Sequence, residues 1–421
     1  MKKKYLILLL VIPVFLILGF PLFIYGIDRT FFYSTDPDVV YITNALLYTK
    51  YAIISYADHP GTPTITLLYY LFFPLRLIAK YILHMGFIQW SFDNYAVLTY
   101  YTRFFELFLT SAGLFIYLNV IKKISNSTRI IMFAAFSVFS FAGLTFATRI
   151  VPENLSFFLT SIWLLVFLRF IQKRNYFLNS VLVFIAAFTV ANKFTALFLL
   201  IPSLFLSIFV RGLEVDQKFV RMQMNILIAG LAFYFGILPA SNMFTFIKNW
   251  AVLLFSRAGS HGTGAVSTLD WGTYSASAAV LVKAQPAAFI FICLTVVLGV
   301  YLLINRKLKF SNPIIFLALT SLAGILVFAK YPVIHYNYVN VLLIIFCASY
   351  FLTKVKVSVV KLLLPIMITL FMVTGYKYVI TASRDLREKT MESEYSILKA
   401  WSPWAADIFG EQLDALNSTK P

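Results

Sequence analysis

Charge, cysteine and histidine are all scarce in this chain. Of its 421 residues only 12% are charged, against about 25% in an ordinary soluble domain. The two cysteines, Cys293 and Cys347, both lie in apolar stretches. They supply neither a disulfide framework nor the ligand spacing of a metal site. There are four histidines. This composition excludes the class of soluble globular domains and gives no sign of a cysteine-based metal protein.

Apolar and basic residues are abundant instead. Hydrophobic residues form 61% of the sequence, against about 45–50% in soluble domains, and they occur in long runs typical of membrane spans. The net charge is +18. In a soluble protein that excess would suggest nucleic acid, but here most Lys and Arg lie in short loops between apolar runs. They indicate membrane topology and anionic lipid headgroups, so we expect membrane lipids and no nucleic acid as partners.

Twelve apolar runs define the predicted topology. The chain opens with Met-Lys-Lys-Lys and an apolar run that is followed by no small-residue cleavage site. This predicts an uncleaved first span with a cytoplasmic N-terminus. The runs cover about residues 5–25, 64–83, 96–120, 129–147, 154–171, 177–191, 194–210, 223–240, 277–304, 312–329, 337–353 and 358–380.

Five loops are rich in basic residues and should be cytoplasmic. They contain Lys122, Lys123 and Arg129; Lys173 and Arg174; Arg211, Lys218 and Arg221; Arg306, Lys307 and Lys309; and Lys354, Lys356 and Lys361. All five fall on one side only if one run between residues 26 and 120 does not cross, and the run 64–83, which contains Pro74, Arg76 and Lys80, is the one expected not to cross. We therefore predict an all-α polytopic membrane protein with about 11 transmembrane helices and a juxtamembrane or re-entrant helix.

This topology also divides the chain. Residues 1–380 form the transmembrane domain, with a first external loop over about 26–95, and residues 381–421 form a short non-cytoplasmic tail. The outer loops carry charged or histidine residues close to the membrane boundary, whereas the cytoplasmic loops are short and merely basic. We expect function on the outer face of a cell's inner or plasma membrane.

The first external loop holds the acids best suited to catalysis. Asp36 and Asp38 flank Pro37 in a Ser-Thr-Asp-Pro-Asp turn, and His59 follows later in the same loop. Two carboxylates this close can raise the pKa of one of them, which suits a general base. A base of this kind could take the proton from an acceptor hydroxyl during sugar transfer.

The order of the motifs resembles the GT-C glycosyltransferases. A first span, an early acidic motif and the segment His59-Pro60-Gly61-Thr62-Pro63 before an apolar run are similar to the branch containing protein O-mannosyltransferases and the enzyme that adds aminoarabinose to lipid A. Later similarities lie in the segments 147–154, 191–196 and 330–336.

The resemblance implies an inverting hexosyl- or pentosyltransferase of the GT-C type. Its donor would be a polyprenyl-phosphate-linked sugar, and its acceptor a lipid, a glycan or a protein. Asp36 would be the base, with Asp38 as helper or alternate. The protein O-mannosyltransferase branch does not rely on a bound metal and the oligosaccharyltransferase branch does, so a divalent metal stays open and no cofactor is assigned.

Other polar residues at the outer boundary are candidates for binding the substrate phosphate. His59 could donate to the phosphate or shuttle a proton, and Arg149 could pair with Glu153, four residues on, or with phosphate. Lys193 lies between two apolar runs, where a charge is a functional candidate by default. The remaining candidates are Arg257 and His261 in a Gly-rich turn, and Lys330, His335 and Tyr336 in a late outer loop.

Two other classes of protein stay open. Charged residues facing a cavity also mark transport paths, so the chain could be a lipid or polysaccharide transporter. An O-antigen ligase or polymerase would work on the same face but carry a large late loop. Here the large loop is the first one, which favours the GT-C hypothesis.

Overall fold

The structure is a computed structural model, and it is built almost entirely of helices. It describes residues 38–55, 61–140, 149–257, 271–284, 286–328 and 334–355, together with isolated positions within 7–12 and 363–369. No strand occurs in these ranges. The predicted all-α class is therefore confirmed for the part of the chain described. Most of the first apolar run and the tail 381–421 lie outside it.

Fifteen α-helices are present in the described ranges. They are α1 (Asp38–Tyr51), α2 (Thr62–Leu71), α3 (Phe73–Tyr81), α4 (Phe87–Asp93), α5 (Tyr95–Ile124), α6 (Thr128–Ser140), α7 (Pro152–Lys173), α8 (Tyr176–Asn192), α9 (Leu197–Phe205), α10 (Val215–Ile237), α11 (Phe244–Ser256), α12 (Trp271–Ala284), α13 (Pro286–Ile304), α14 (Pro313–Phe328) and α15 (Tyr338–Leu352). Short 3-10 helices cover Phe194–Ala196, Leu206–Phe209, Leu238–Met243 and Ile334–Asn337.

Several of these helices can span a bilayer. Four helical stretches are long and apolar enough on their own, namely Thr62–Tyr81, Val97–Ile124, Pro152–Lys173 and Val215–Leu253. Six shorter apolar helices accompany them. A crossing needs about 20 apolar residues, so these helices are those of an integral membrane protein. The predicted number of eleven crossings is a finer statement and stays a prediction.

One predicted apolar run is divided in the structure. The run 277–304 is not a single helix, because α12 ends at Ala284 and α13 begins at Pro286. Proline has no backbone N–H and clashes with the preceding helical turn, so it belongs in the first turn of a helix and not in its interior. A hydropathy window detects the apolar composition but not this break.

The helix α15 lies at the centre of the bundle. Every one of its residues except Tyr350 is buried, and it packs against α13, α14, α6, α5 and α7. Its sequence is apolar on all sides, as expected of a helix surrounded by other helices. The pairs α5–α7, α7–α8 and α8–α10 complete the packed part.

The run 64–83 is also two helices in the structure. Phe72 separates α2 from α3, next to Pro74, which cannot donate a helical hydrogen bond. Within α3 only Ala79 is buried, while Leu77 and Ile78 are exposed beside Arg76 and Lys80. This exposure is compatible with a helix at the membrane surface. The stretch is also long enough to cross, so its predicted non-crossing state stays a prediction.

Candidate functional site

A buried ion pair lies at one end of the bundle. Lys193 Nζ donates to Glu153 Oε1, and the two side chains are only 2% and 4% exposed. Glu153 is in the first turn of α7, and Lys193 follows the last residue of α8. An acid at a helix N-terminus and a cation at a helix C-terminus each interact favourably with the helix dipole. Removing both charges from water is nevertheless costly, so the pair is a functional candidate.

The helical hairpin α7–α8 explains why these two residues meet. Only Arg174 and Asn175 separate Lys173, at the end of α7, from Tyr176, at the start of α8. The helices therefore run antiparallel, and the start of α7 lies beside the end of α8. Residues 40 positions apart in the sequence are brought into contact.

The pairing of Arg149 with Glu153 suggested by their spacing is not formed, because Glu153 pairs with Lys193. Residues four apart face each other only within a helix, and Val151 is extended, with φ −143° and ψ 152°, so α7 begins only at Pro152. Arg149 is half-buried, and its carbonyl accepts from Asn154 Nδ2 at 2.8 Å. The second option offered for Arg149, a phosphate contact, stays a prediction.

Asn192 connects the predicted first loop to the helix ends that carry the ion pair. Its Nδ2 donates to the Pro152 carbonyl at 2.7 Å and to Ser156 Oγ at 3.0 Å. Its Oδ1 accepts from the Thr64 hydroxyl at 2.8 Å, and its carbonyl accepts from the Gly61 N–H at 3.1 Å. Both ends of one buried amide are thus satisfied, and α2, α7 and α8 are joined beside Lys193.

Gly61 allows the helix α1 to pack close to the hydrogen bonds of Asn192. Its φ is +60°, a left-handed conformation that glycine adopts without strain. A Cβ at this position would lie 2.8 Å from Cε1 and 2.9 Å from the hydroxyl oxygen of Tyr41. Tyr41 is fully buried, one turn after Asp38, where α1 begins. The backbone at Asp38 is therefore held one helical turn from the Tyr41–Gly61 contact.

Residues of the predicted late outer loop also lie at the end of the bundle that carries the ion pair. Tyr338, the first residue of α15, is buried and lies within electrostatic range of Glu153. Tyr336 is buried in the 3-10 helix Ile334–Asn337, which also contains His335. We call the end of the bundle that carries Glu153, Asn192 and Lys193 the polar end.

Of the other predicted site residues, Arg257 lies among the described residues and four lie outside them. Arg257 is exposed directly after α11. Asp36, His59, His261 and Lys330 lie outside the described residues. Among those described, no group of three His, Cys, Asp or Glu residues could hold a metal ion, and a divalent metal stays open.

Two charged residues of interest were missed by the sequence reasoning. Arg103 and Glu106 lie one turn apart on α5, and both are buried. Thr110, one turn beyond Glu106, donates to Asn154 Oδ1 at 3.0 Å. Glu106 therefore lies about 6 Å along α5 from the level at which α7 begins. The available signal was opposite charges inside the apolar run 96–120, since intramembrane charges are functional candidates.

Comparison with known proteins adds no family assignment. No protein-family model matches the chain, and no curated protein matches it.

Proposed function

We propose that this chain is a membrane-embedded glycosyltransferase of the GT-C type. It would move a sugar from a polyprenyl-phosphate donor to a lipid, glycan or protein acceptor on the non-cytoplasmic face. The observation that carries the proposal is the meeting of separate loop segments at the polar end. Gly61, in the middle of the His-Pro-Gly-Thr-Pro segment, and Thr64, directly after it, are hydrogen-bonded to Asn192, next to the Lys193–Glu153 pair.

The proposed reaction needs few groups. The acceptor hydroxyl oxygen attacks the anomeric carbon as the bond from that carbon to the phosphate oxygen breaks, with inversion. Asp36 or Asp38 takes the hydroxyl proton, and polyprenyl phosphate leaves with the bonding electron pair. A cation stabilises the charge that develops on the leaving phosphate.

Arg149 is the best candidate for that cation among the described residues. It immediately precedes the segment that leads into α7, it is half-buried, and it has no ion-pair partner in the described ranges. Lys193 is instead engaged by Glu153. The buried pair would therefore act as a positioning element that holds α7, α8 and the first loop in register, while Arg149 contacts phosphate.

Transfer activity tests the assignment of the base. Full-length protein in lipid is supplied with a mixed pool of polyprenyl-phosphate sugars, and release of polyprenyl phosphate is measured for Asp36→Asn and Asp38→Asn. We expect the variant that lacks the base to lose about 100-fold or more of the rate. Asp93→Asn is the matched control, because Asp93 belongs to the same predicted loop but is exposed, and among the described residues it accepts only from Gln89 Nε2, at 2.9 and 3.1 Å.

A transporter is the second candidate, and one observation favours it. Arg103 and Glu106 are buried within a span, and buried charges in spans also mark transport paths. The same assay separates the two functions. If the wild type releases no polyprenyl phosphate and the three Asp variants behave alike, the transferase is excluded and transport of the lipid-linked sugar becomes the leading hypothesis.

A further inference from the structure

A second polar feature lies at the opposite end of the bundle from Glu153. A cavity of about 310 Å³ opens where α7 and α15 end and where the connection between α13 and α14 turns. Its lining includes Ile171 and Arg174, at the far end of α7. A helix of the length of α7 spans about 33 Å. The cavity is therefore separate from the polar end and owes nothing to the proposed transfer reaction.

Four cations line this cavity: Arg174, Lys307, Lys309 and Lys354. No aspartate or glutamate is found among its lining residues, and none of the four cations forms an ion pair within the described ranges. Cations that line one cavity repel each other unless an anion lies between them. We call this cavity, with its four cations, the basic pocket.

The Arg174 side chain offers a hydrogen-bond donor to the basic pocket. Its Nε is buried and has no hydrogen-bond partner among the described residues, and a buried donor without a partner destabilises the fold. Its backbone is left-handed, with φ 48°, and its carbonyl accepts from the Arg211 N–H at 2.9 Å. The backbone is thus held while the guanidinium keeps a free donor for an anionic group.

The remaining lining is apolar and aromatic. Ile171, Leu308 and Tyr350 share the basic pocket with the cations, and Lys354 Nζ lies 5.5 Å from the centre of the Tyr350 ring. The N-terminus of α14, at Pro313, also borders it and adds the positive end of a helix dipole. Cations above apolar side chains, at the end of a membrane helix bundle, suit a phosphate attached to an acyl chain.

We propose that the basic pocket binds the phosphate of an anionic membrane lipid headgroup. Arg174 contacts the phosphate with a partly buried guanidinium, since arginine offers several donors in a fixed geometry. Lys307, Lys309 and Lys354 add charge from the exposed side. Because the basic loops are predicted to be cytoplasmic, the lipid belongs to the cytoplasmic leaflet.

Native mass spectrometry tests this proposal on the full chain. The protein is reconstituted in nanodiscs with equal amounts of phosphatidylcholine and phosphatidylglycerol, released, and the retained lipid is counted. We expect preferential retention of phosphatidylglycerol, and a loss of about tenfold in the combined variant Arg174→Gln, Lys307→Gln, Lys354→Gln.

The matched control removes the same number of charges elsewhere. Lys122→Gln, Lys123→Gln and Arg129→Gln lie in another predicted cytoplasmic loop that does not line the basic pocket. The proposal predicts near wild-type retention in this variant, and equal losses in both combined variants would overturn it. The single variant Lys354→Gln changes an exposed residue, so it should have little effect on folding. We expect a partial loss of retention there, and unchanged retention also counts against the pocket.

Competition with soluble phosphate distinguishes a lipid headgroup from free phosphate as the bound anion. Glycerol phosphate and inorganic phosphate are added during release from the nanodisc. Retention that persists supports a lipid, because the acyl chains contribute to binding. Displacement of phosphatidylglycerol by either soluble ion at equimolar concentration would show that the basic pocket is a site for free phosphate and would overturn the lipid assignment.

Discussion

The two ends of the bundle use basic residues in opposite ways. At the polar end, Lys193 is buried, paired with Glu153 and preceded by Asn192, whose amide is fully hydrogen-bonded. At the end with the basic pocket, Lys307, Lys309 and Lys354 are exposed, and Arg174 keeps a buried donor that no described residue satisfies. A charge that is already neutralised holds structure, whereas cations with no ion-pair partner in the described ranges are available for a ligand. The net charge of the chain does not reveal this difference.

Breaking the buried pair should give the largest effect. Glu153→Gln or Lys193→Met leaves the partner charge buried without compensation, so we expect about 3–5 kcal/mol of lost unfolding free energy. Thermal and denaturant unfolding of the purified protein in detergent measures it. The double variant Glu153→Leu, Lys193→Met should be closer to wild type than either single one. Additive losses in the double variant would show that the pair is not coupled.

The second prediction compares two buried amides. Asn192→Leu removes the hydrogen bonds to Pro152, Ser156, and Thr64, and should cost about 2–3 kcal/mol. Asn225→Leu at the other end should cost a similar amount, since Asn225 Nδ2 donates to Asn179 Oδ1 at 2.7 Å. The two variants differ in activity: only Asn192→Leu should lose transfer. Equal transfer activities of the two variants would show that Asn192 does not belong to the functional site.

A third prediction compares two left-handed glycines. Gly61→Ala should cost about 2 kcal/mol or more, because an alanine is strained at this φ and its Cβ meets Tyr41. Gly212→Ala carries the same backbone strain, with φ +73°, but its Cβ would meet nothing within 4 Å. The difference between their unfolding free energies therefore measures the steric contact. If the two variants are equally stable, Tyr41 moves aside freely and does not define the polar end.

The smallest effect is expected for exposed cations. Lys309→Gln should change the unfolding free energy by about 0.5 kcal/mol or less, since surface substitutions without a buried partner have little effect. Thermal unfolding in zwitterionic detergent, with no anionic lipid present, is the suitable measurement. A loss comparable with that of Lys193→Met would contradict the contrast between the two ends.

Much of the fold could be read from hydropathy. The apolar runs predicted over 154–171, 177–191 and 337–353 correspond to α7 (Pro152–Lys173), α8 (Tyr176–Asn192) and α15 (Tyr338–Leu352) within two residues at each end. Burial in lipid requires a continuous apolar segment, so the linear sequence carries this information directly. The division at Pro286 was missed because composition averaged over a window hides a single helix-breaking residue.

Part of the candidate site was also visible. Lys193 was predicted from its position between apolar runs, and Glu153 as a partner for Arg149, four residues before it. Arg103 and Glu106 were not predicted, because they lie inside the apolar run 96–120 and the prediction was based on charges at the boundaries of runs. The roles of Asp36, Asp38 and His59 stay predictions, and the transfer assay decides them.

The sequence by itself determined the class of the protein, the position of its helices and the uneven distribution of its charges, because each depends on the local cost of exposing polar groups to lipid. Only the tertiary structure decided which charges meet. Glu153 pairs with Lys193, 40 residues away, and not with Arg149, since the antiparallel packing of α7 and α8 joins them while the extended chain at Val151 separates Arg149. The packing of α15 against α7, α13 and α14 gathered Arg174, Lys307 and Lys354 around one cavity. Contacts between distant segments depend on how helices pack, and the hydropathy of the sequence does not specify that packing.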